Sequence, residues 1–186
     1  RVLFRSKYIT KLATNLYDAL EPLHKADKNF RRCLIAAGLL HDIGKRVNYY
    51  SHARHGCYML VNSNLYGISH VEQAFSAFLV MNSHGLTPKE YKNFLYGKLL
   101  DQEQRLLGQK LSIILAIAEA LDESHEQFIK RLEVNIKYTS VVIKVFYLEG
   151  RDVSVTKTAV EKLSKSFKKE FEKTLEIEWH ESRKEA

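Results

Sequence analysis

Apolar residues recur along most of this chain at helical spacing. Ile9, Leu12, Ala13, Leu16, Tyr17 and Leu20 fall at i, i+3 and i+4, which predicts one amphipathic helix ending before Pro22. Phe30, Cys33, Leu34, Ala37, Leu40 and His41 repeat the pattern, so a second helix carries His41 and Asp42 at its C-terminal end, with Gly44 as a stop. Residues 55–65 read as a third helix, with Tyr58, Met59 and Val61 along it. Ser69 followed by Glu72 is a capping box for a fourth, whose apolar face is Phe75, Phe78 and Leu79 and which ends near Gly85. Thr87-Pro88 opens a short helix, since proline is well placed in a first turn. A long helix then runs from 101 to about 124, with Leu107, Leu111, Ile114, Ile117, Ala118 and Leu121 on one face.

Beyond that helix the period changes. Leu132, Val134 and Ile136 alternate with Glu133, Asn135 and Lys137, and residues 141–148 are rich in β-branched and aromatic types, so the two stretches predict a hairpin. Val160, Leu163, Phe167 and Phe171 return to helical spacing, and Leu175, Ile177 and Trp179 alternate as a last strand before a polar tail that frays from His180. The expected fold is mainly α: a helical bundle over residues 1–128, a small α+β unit of β-β-α-β order over 129–180, and a tail over 181–186.

Composition narrows the function classes. The 186 residues suffice for one domain of usual size, and 45% hydrophobic against 27% charged residues is globular rather than disordered. Only 2 Pro and 8 Gly leave few breaks, in keeping with helix. No run reaches the roughly 18 apolar residues of a membrane span, so no membrane role is expected. The chain opens Arg1-Val2-Leu3-Phe4-Arg5 without an initiator Met or a signal peptide, which reads as a piece of a longer protein with catalytic groups upstream. Cys33 and Cys57 make no disulfide framework, and a cytoplasmic setting is expected. The net charge of +7, from 29 Lys plus Arg against 22 Asp plus Glu, favours a polyanionic ligand. Nucleic acid is disfavoured, because no aromatic-basic RNA motif or helix-turn-helix pattern accompanies the charge.

The sharpest chemical feature is Leu39-Leu40-His41-Asp42-Ile43-Gly44-Lys45. An imidazole and a carboxylate presented together at a helix end can share a divalent ion, which acidifies bound water and polarises a phosphoryl oxygen. A His-Asp pair after an apolar helix and before Ile-Gly-Lys is the arrangement that defines HD domains. A full site of that kind needs an earlier His and a later Asp. Arg5 stands where the first ligand is expected, His24 falls in a polar loop, and Glu119 stands where the Asp is wanted. The extra methylene of Glu shifts the oxygens by about 1 Å, which is large for site geometry. The metal candidates are His41, Asp42 and Glu119, with His84 as a further one. His52, Arg54 and His55 head the third helix, where cationic side chains and the helix N-terminus suit phosphate. Lys45 and Arg46 follow the His-Asp pair and complete the phosphate-binding candidates. The lysines at 162, 165, 168, 169 and 173 read as a solvated helix face, and His70, His125 and His180 as surface residues.

These segments, in this order, resemble the C-terminal half of the exopolyphosphatase/guanosine pentaphosphate phosphatase (Ppx/GppA) family. Leu12-Ala13 with Leu16-Tyr17-Asp18 is similar to its opening helix, and Ala36-Ala37-Gly38-Leu39-Leu40-His41-Asp42-Ile43-Gly44 to its HD segment. The stretch His52 to Leu60, then Asn62-Ser63 and Tyr66-Gly67, resembles its His-rich turn, and Ala118-Glu119-Ala120-Leu121-Asp122 its Ala-Asp-Ala-Leu-Asp helix. The chain departs from the family at Arg5, Ala53, Gly56, Ser83-His84 and Glu119. The resemblance implies that phosphate cleavage, with Mg²⁺, lies in upstream actin-like domains. This part would bind polyanion (inorganic polyphosphate or guanosine pentaphosphate) and contribute to a homodimer in the full-length protein, with no catalytic residue of its own. The competing reading is a self-sufficient metal-dependent HD phosphohydrolase acting on a nucleotide.

Overall fold

The computed structural model describes residues 2–84 and 98–182, of Val2 and Leu3 the backbone only. The helix expected at Thr87-Pro88 and the end of the tail, 183–186, lie outside the described residues. Helix α1 spans Val2–Ala19, a short α2 Glu21–His24 and α3 Lys28–Leu40. A 3-10 turn, Ile43–Arg46, leads to α4, His52–Val61, and α5, His70–Ser83. After α6, Gln102–Ala120, come β1, Ile129–Ile136, and β2, Ser140–Leu148. Two short helices, α7 Ser154–Glu161 and α8 Ser164–Phe171, precede β3, Thr174–Ser182.

The helical periodicity finds its reason in burial. Ile9, Leu12, Ala13, Leu16, Tyr17 and Leu20 of α1 are all buried, as are Leu111, Ile114, Ile117, Ala118 and Leu121 along α6. Each such aliphatic side chain contributes about 1.5–3 kcal/mol through removal from water. α3 brings Cys33, Leu34 and Ala37 to the same core, and α5 brings Phe75, Phe78 and Leu79. Asp27 caps α3 through the Asn29 amide, and capping boxes set two further helix starts among the described residues: Ser69 with Glu72 at α5, as expected, and Asp101 with Gln104 at α6. Helices α1 and α3 cross closely, since a Cβ on Gly38 would come within 2.7 Å of Thr10 Oγ1.

The sheet has the order β1-β2-β3, antiparallel between β1 and β2 and parallel between β2 and β3. Ile143 pairs with Val134 on one side and Ile177 on the other, and the central Val141, Ile143 and Val145 belong to one apolar cluster with α1, α5 and α6. Tyr8 of α1 donates its hydroxyl proton to the Ile129 carbonyl at 2.8 Å, which ties the first helix to the first strand.

Several expectations need correction. His24 is not in a polar loop. It is buried at the end of α2, its Nε2 2.8 Å from the Tyr17 carbonyl and its Nδ1 accepting the Ala26 amide, because Pro22 starts a new helical turn instead of ending order. The stretch around Val160 to Phe171 is two helices, with Lys162 and Leu163 between them. α4 starts at His52, three residues earlier than expected. β3 runs on through His180 to Ser182, and His180 stacks on Phe146 with ring centroids 5.1 Å apart.

Candidate functional site

The site forms where the beginning of α1, the end of α3, the 3-10 turn, the start of α4 and the ends of α5 and α6 meet. His41 and Asp42 lie just past α3. His41 is fully buried, and its Nδ1 sits 2.7 Å from the Gly38 carbonyl. That carbonyl only accepts, so Nδ1 donates to it. Arg5 precedes Ile9 by one helical turn, so it leaves α1 on the inward face. Its Nη1 donates to Asp42 Oδ2 at 2.9 Å and lies 3.4 Å from His41 Nε2. Its Nε donates to Asp122 Oδ2 at 3.2 Å.

Asp122 follows α6 and is 1% exposed, and its Oδ1 accepts the Gln127 amide at 2.9 Å. Lys45 reaches back from the 3-10 turn to Asp42 Oδ1 at 2.8 Å. Two carboxylates thus face two cationic side chains and one imidazole. Burial alone would raise the Asp42 carboxyl, but His41, the hydrogen bond and charge of Lys45 and the charge of Arg5 outweigh it and hold the group below the usual carboxylate range. Burial wins at Asp122, which is raised in spite of the Gln127 amide and Arg5.

A second group adjoins the first. His84 follows α5, and its Nε2 lies 3.3 Å from Glu119 Oε2 and 3.2 Å from His52 Nε2. His52 Nδ1 faces the Tyr49 carbonyl at 3.0 Å. Burial lowers the basicity of His84, with Lys45 and Arg5 adding to the effect against Asp42. Burial also lowers His52, with neighbouring His84 next in weight. The Glu119 carboxyl is pushed up by burial, and among the described residues its buried Oε1 has no hydrogen-bond partner.

The structure therefore brings together His41 and Asp42, and separately Glu119, His84 and His52, with the two groups side by side. Among the described residues no three His, Cys, Asp or Glu are placed to hold a metal ion. Lys45, Arg46, His52, Arg54 and His55 gather on the 3-10 turn and the first turn of α4, with Arg46 and Arg54 exposed and His55 half-buried. The first turn of α4 carries no acidic residue, and Ser51 gives it no side-chain cap. Tyr49 and Tyr50 stand exposed on the same loop. Cavities of about 350 and 560 Å³ lie elsewhere, around Phe30 and Gln104, and share no residue with this site.

Sequence reasoning gave Asp122 no role, although the residue stands in a quoted motif. The available signal was its i, i+3 relation to Glu119, which places both carboxylates on one side of α6. The family model for Ppx/GppA phosphatase, domain III, matches residues 4–158, a span that includes every side chain of the site from Arg5 to Asp122. With most of the chain matched and the His-Asp segment, the His-rich α4 turn and the α6 carboxylates all inside the match, this chain belongs to the Ppx/GppA phosphatase family, as its domain III.

Proposed function

We propose that this chain is the polyanion-binding and assembly part of a Ppx/GppA-type phosphohydrolase whose cleavage site, with its Mg²⁺, lies in upstream domains. The observation that supports the reading is that Lys45, Arg46, His52, Arg54 and His55 all lie on the 3-10 turn and on the acid-free first turn of α4. Backbone amides at a helix N-terminus and flexible cations around them suit phosphate oxygens without fixing their number, which fits a chain of phosphates. The substrate on this reading is inorganic polyphosphate or guanosine pentaphosphate, and the whole protein is a homodimer in the cytoplasm. Lys45 is shared, since it also holds Asp42, so polyanion and Asp42 compete for its ammonium.

The test is binding of polyphosphate of defined length by the wild-type chain and by Lys45→Ala/Arg54→Ala. The paired substitution removes two charge-assisted contacts and is expected to weaken binding by at least about tenfold. Unchanged affinity in a folded variant would remove these residues from the binding site.

A further inference from the structure

We propose that Arg5 is the resident cation of the His41–Asp42 pocket: its guanidinium holds the place of a divalent ion and keeps the pocket from being a metal centre. Arg5 donates to Asp42 Oδ2 at 2.9 Å and to Asp122 Oδ2 at 3.2 Å, and faces His41 Nε2 at 3.4 Å. Those three atoms are the kind that ligate a hard or borderline cation, and all three are turned toward a group that cannot ligate anything. His41 keeps the hydrogen-bond pattern of a metal-ligating histidine, with Nδ1–H on a backbone carbonyl and Nε2 aimed inward. What Nε2 faces is the Arg5 guanidinium and Asp42 Oδ1, each at 3.4 Å.

Charge reaches the same conclusion independently. Asp42 and Asp122 bring two negative charges, and Arg5 and Lys45 neutralise both through direct contacts. A divalent ion added to this group would bring an excess of two positive charges into a place where His41 is fully buried and Asp122 is 1% exposed. Metal ligand sites persist because an ion offsets the burial of its carboxylates. Here the side chain of α1 already does so. The nearby Glu119 does not complete a metal site: its Oε2 faces His84, whose Nε2 in turn faces that of His52, and among the described residues no three His, Cys, Asp or Glu are placed to hold an ion. The donor set present therefore does not fit a divalent ion.

The consequence is a specific exchange: without the guanidinium, a metal should be able to do its work. Melting of the wild-type chain and of Arg5→Ala, each with and without Mn²⁺, together with Mn²⁺ retained after dialysis, tests this. The wild type is expected to retain almost no Mn²⁺ and to melt at the same temperature with or without it. Arg5→Ala is expected to melt lower by roughly 10 °C, since two buried carboxylates lose their shared partner. Mn²⁺ should recover part of that loss, a rescue that a residue serving only as packing would not show. If Arg5→Ala does not fold, Arg5→His supplies the same comparison, with an imidazole in place of the guanidinium. Stoichiometric Mn²⁺ in the wild type would overturn the proposal, as would a folded Arg5 variant whose melting is indifferent to Mn²⁺.

Discussion

His52 and His84 set the clearest pH dependence in the molecule. Their Nε2 atoms lie 3.2 Å apart, and both imidazoles titrate below the ordinary histidine range, chiefly because of burial. In the unfolded chain they take protons first as pH falls, so folding loses stability from about pH 6.5 down to their folded values and keeps it above. Thermal melts between pH 5 and 8 should show that slope, and His52→Gln should flatten it. An unchanged slope in the variant would place the titration elsewhere. Glu119 works in the opposite sense. Its carboxyl is raised by burial, so its contribution declines as pH rises from its ordinary value through its folded one. Glu119→Gln is expected to remove that decline and to melt higher than the wild type at pH 8, read by the same melts. At this scale the sequence was only partly legible. His41, Asp42, His52, His84 and Glu119 stand out as residue types. The Arg5–Asp122 contact does not, because it joins residues 117 positions apart and depends on how α1 crosses the end of α6.

At the scale of elements, periodicity located the core residues of α1 and α3, which bury one stripe each, and part of those of α5 and α6, which are buried on nearly all sides over residues 73–80 and 111–118. Boundaries were less legible where local chemistry is subtle. The break at Lys162 and Leu163 lacks Pro or Gly, so apolar spacing alone ran α7 and α8 together. Gly44 shows a glycine whose reason is not conformational. It does not cap α3 but sits in the 3-10 turn, where a Cβ would overlap the His52 carbonyl oxygen and the Gly56 amide nitrogen. The two glycines let the 3-10 turn that carries Lys45 and Arg46 lie against α4, which begins at His52. Gly44→Ala should therefore destabilise the chain by about 2 kcal/mol through forced separation of these elements. Urea unfolding measures it, and a neutral result would mean that the contact between turn and helix yields freely.

At the scale of the whole molecule, the proposed reading has the net charge of +7 and the cations at the start of α4 act together on a polyanion. Binding by release of condensed counterions weakens steeply with salt, so log Kd for polyphosphate should rise linearly with log salt, and the slope should fall in Lys45→Ala/Arg54→Ala. The family was legible because its motifs are spread in order over most of the chain, whereas the contacts of Arg5 depend on which groups meet in space. The account holds that this domain binds phosphate chains and leaves their cleavage to other domains. The direct measurement is release of orthophosphate from polyphosphate and guanosine pentaphosphate by the purified chain, with Mg²⁺ or Mn²⁺ present. The account predicts no turnover above buffer; turnover that vanishes in His41→Ala and Asp42→Ala would contradict it and make the His-Asp pocket a working active site.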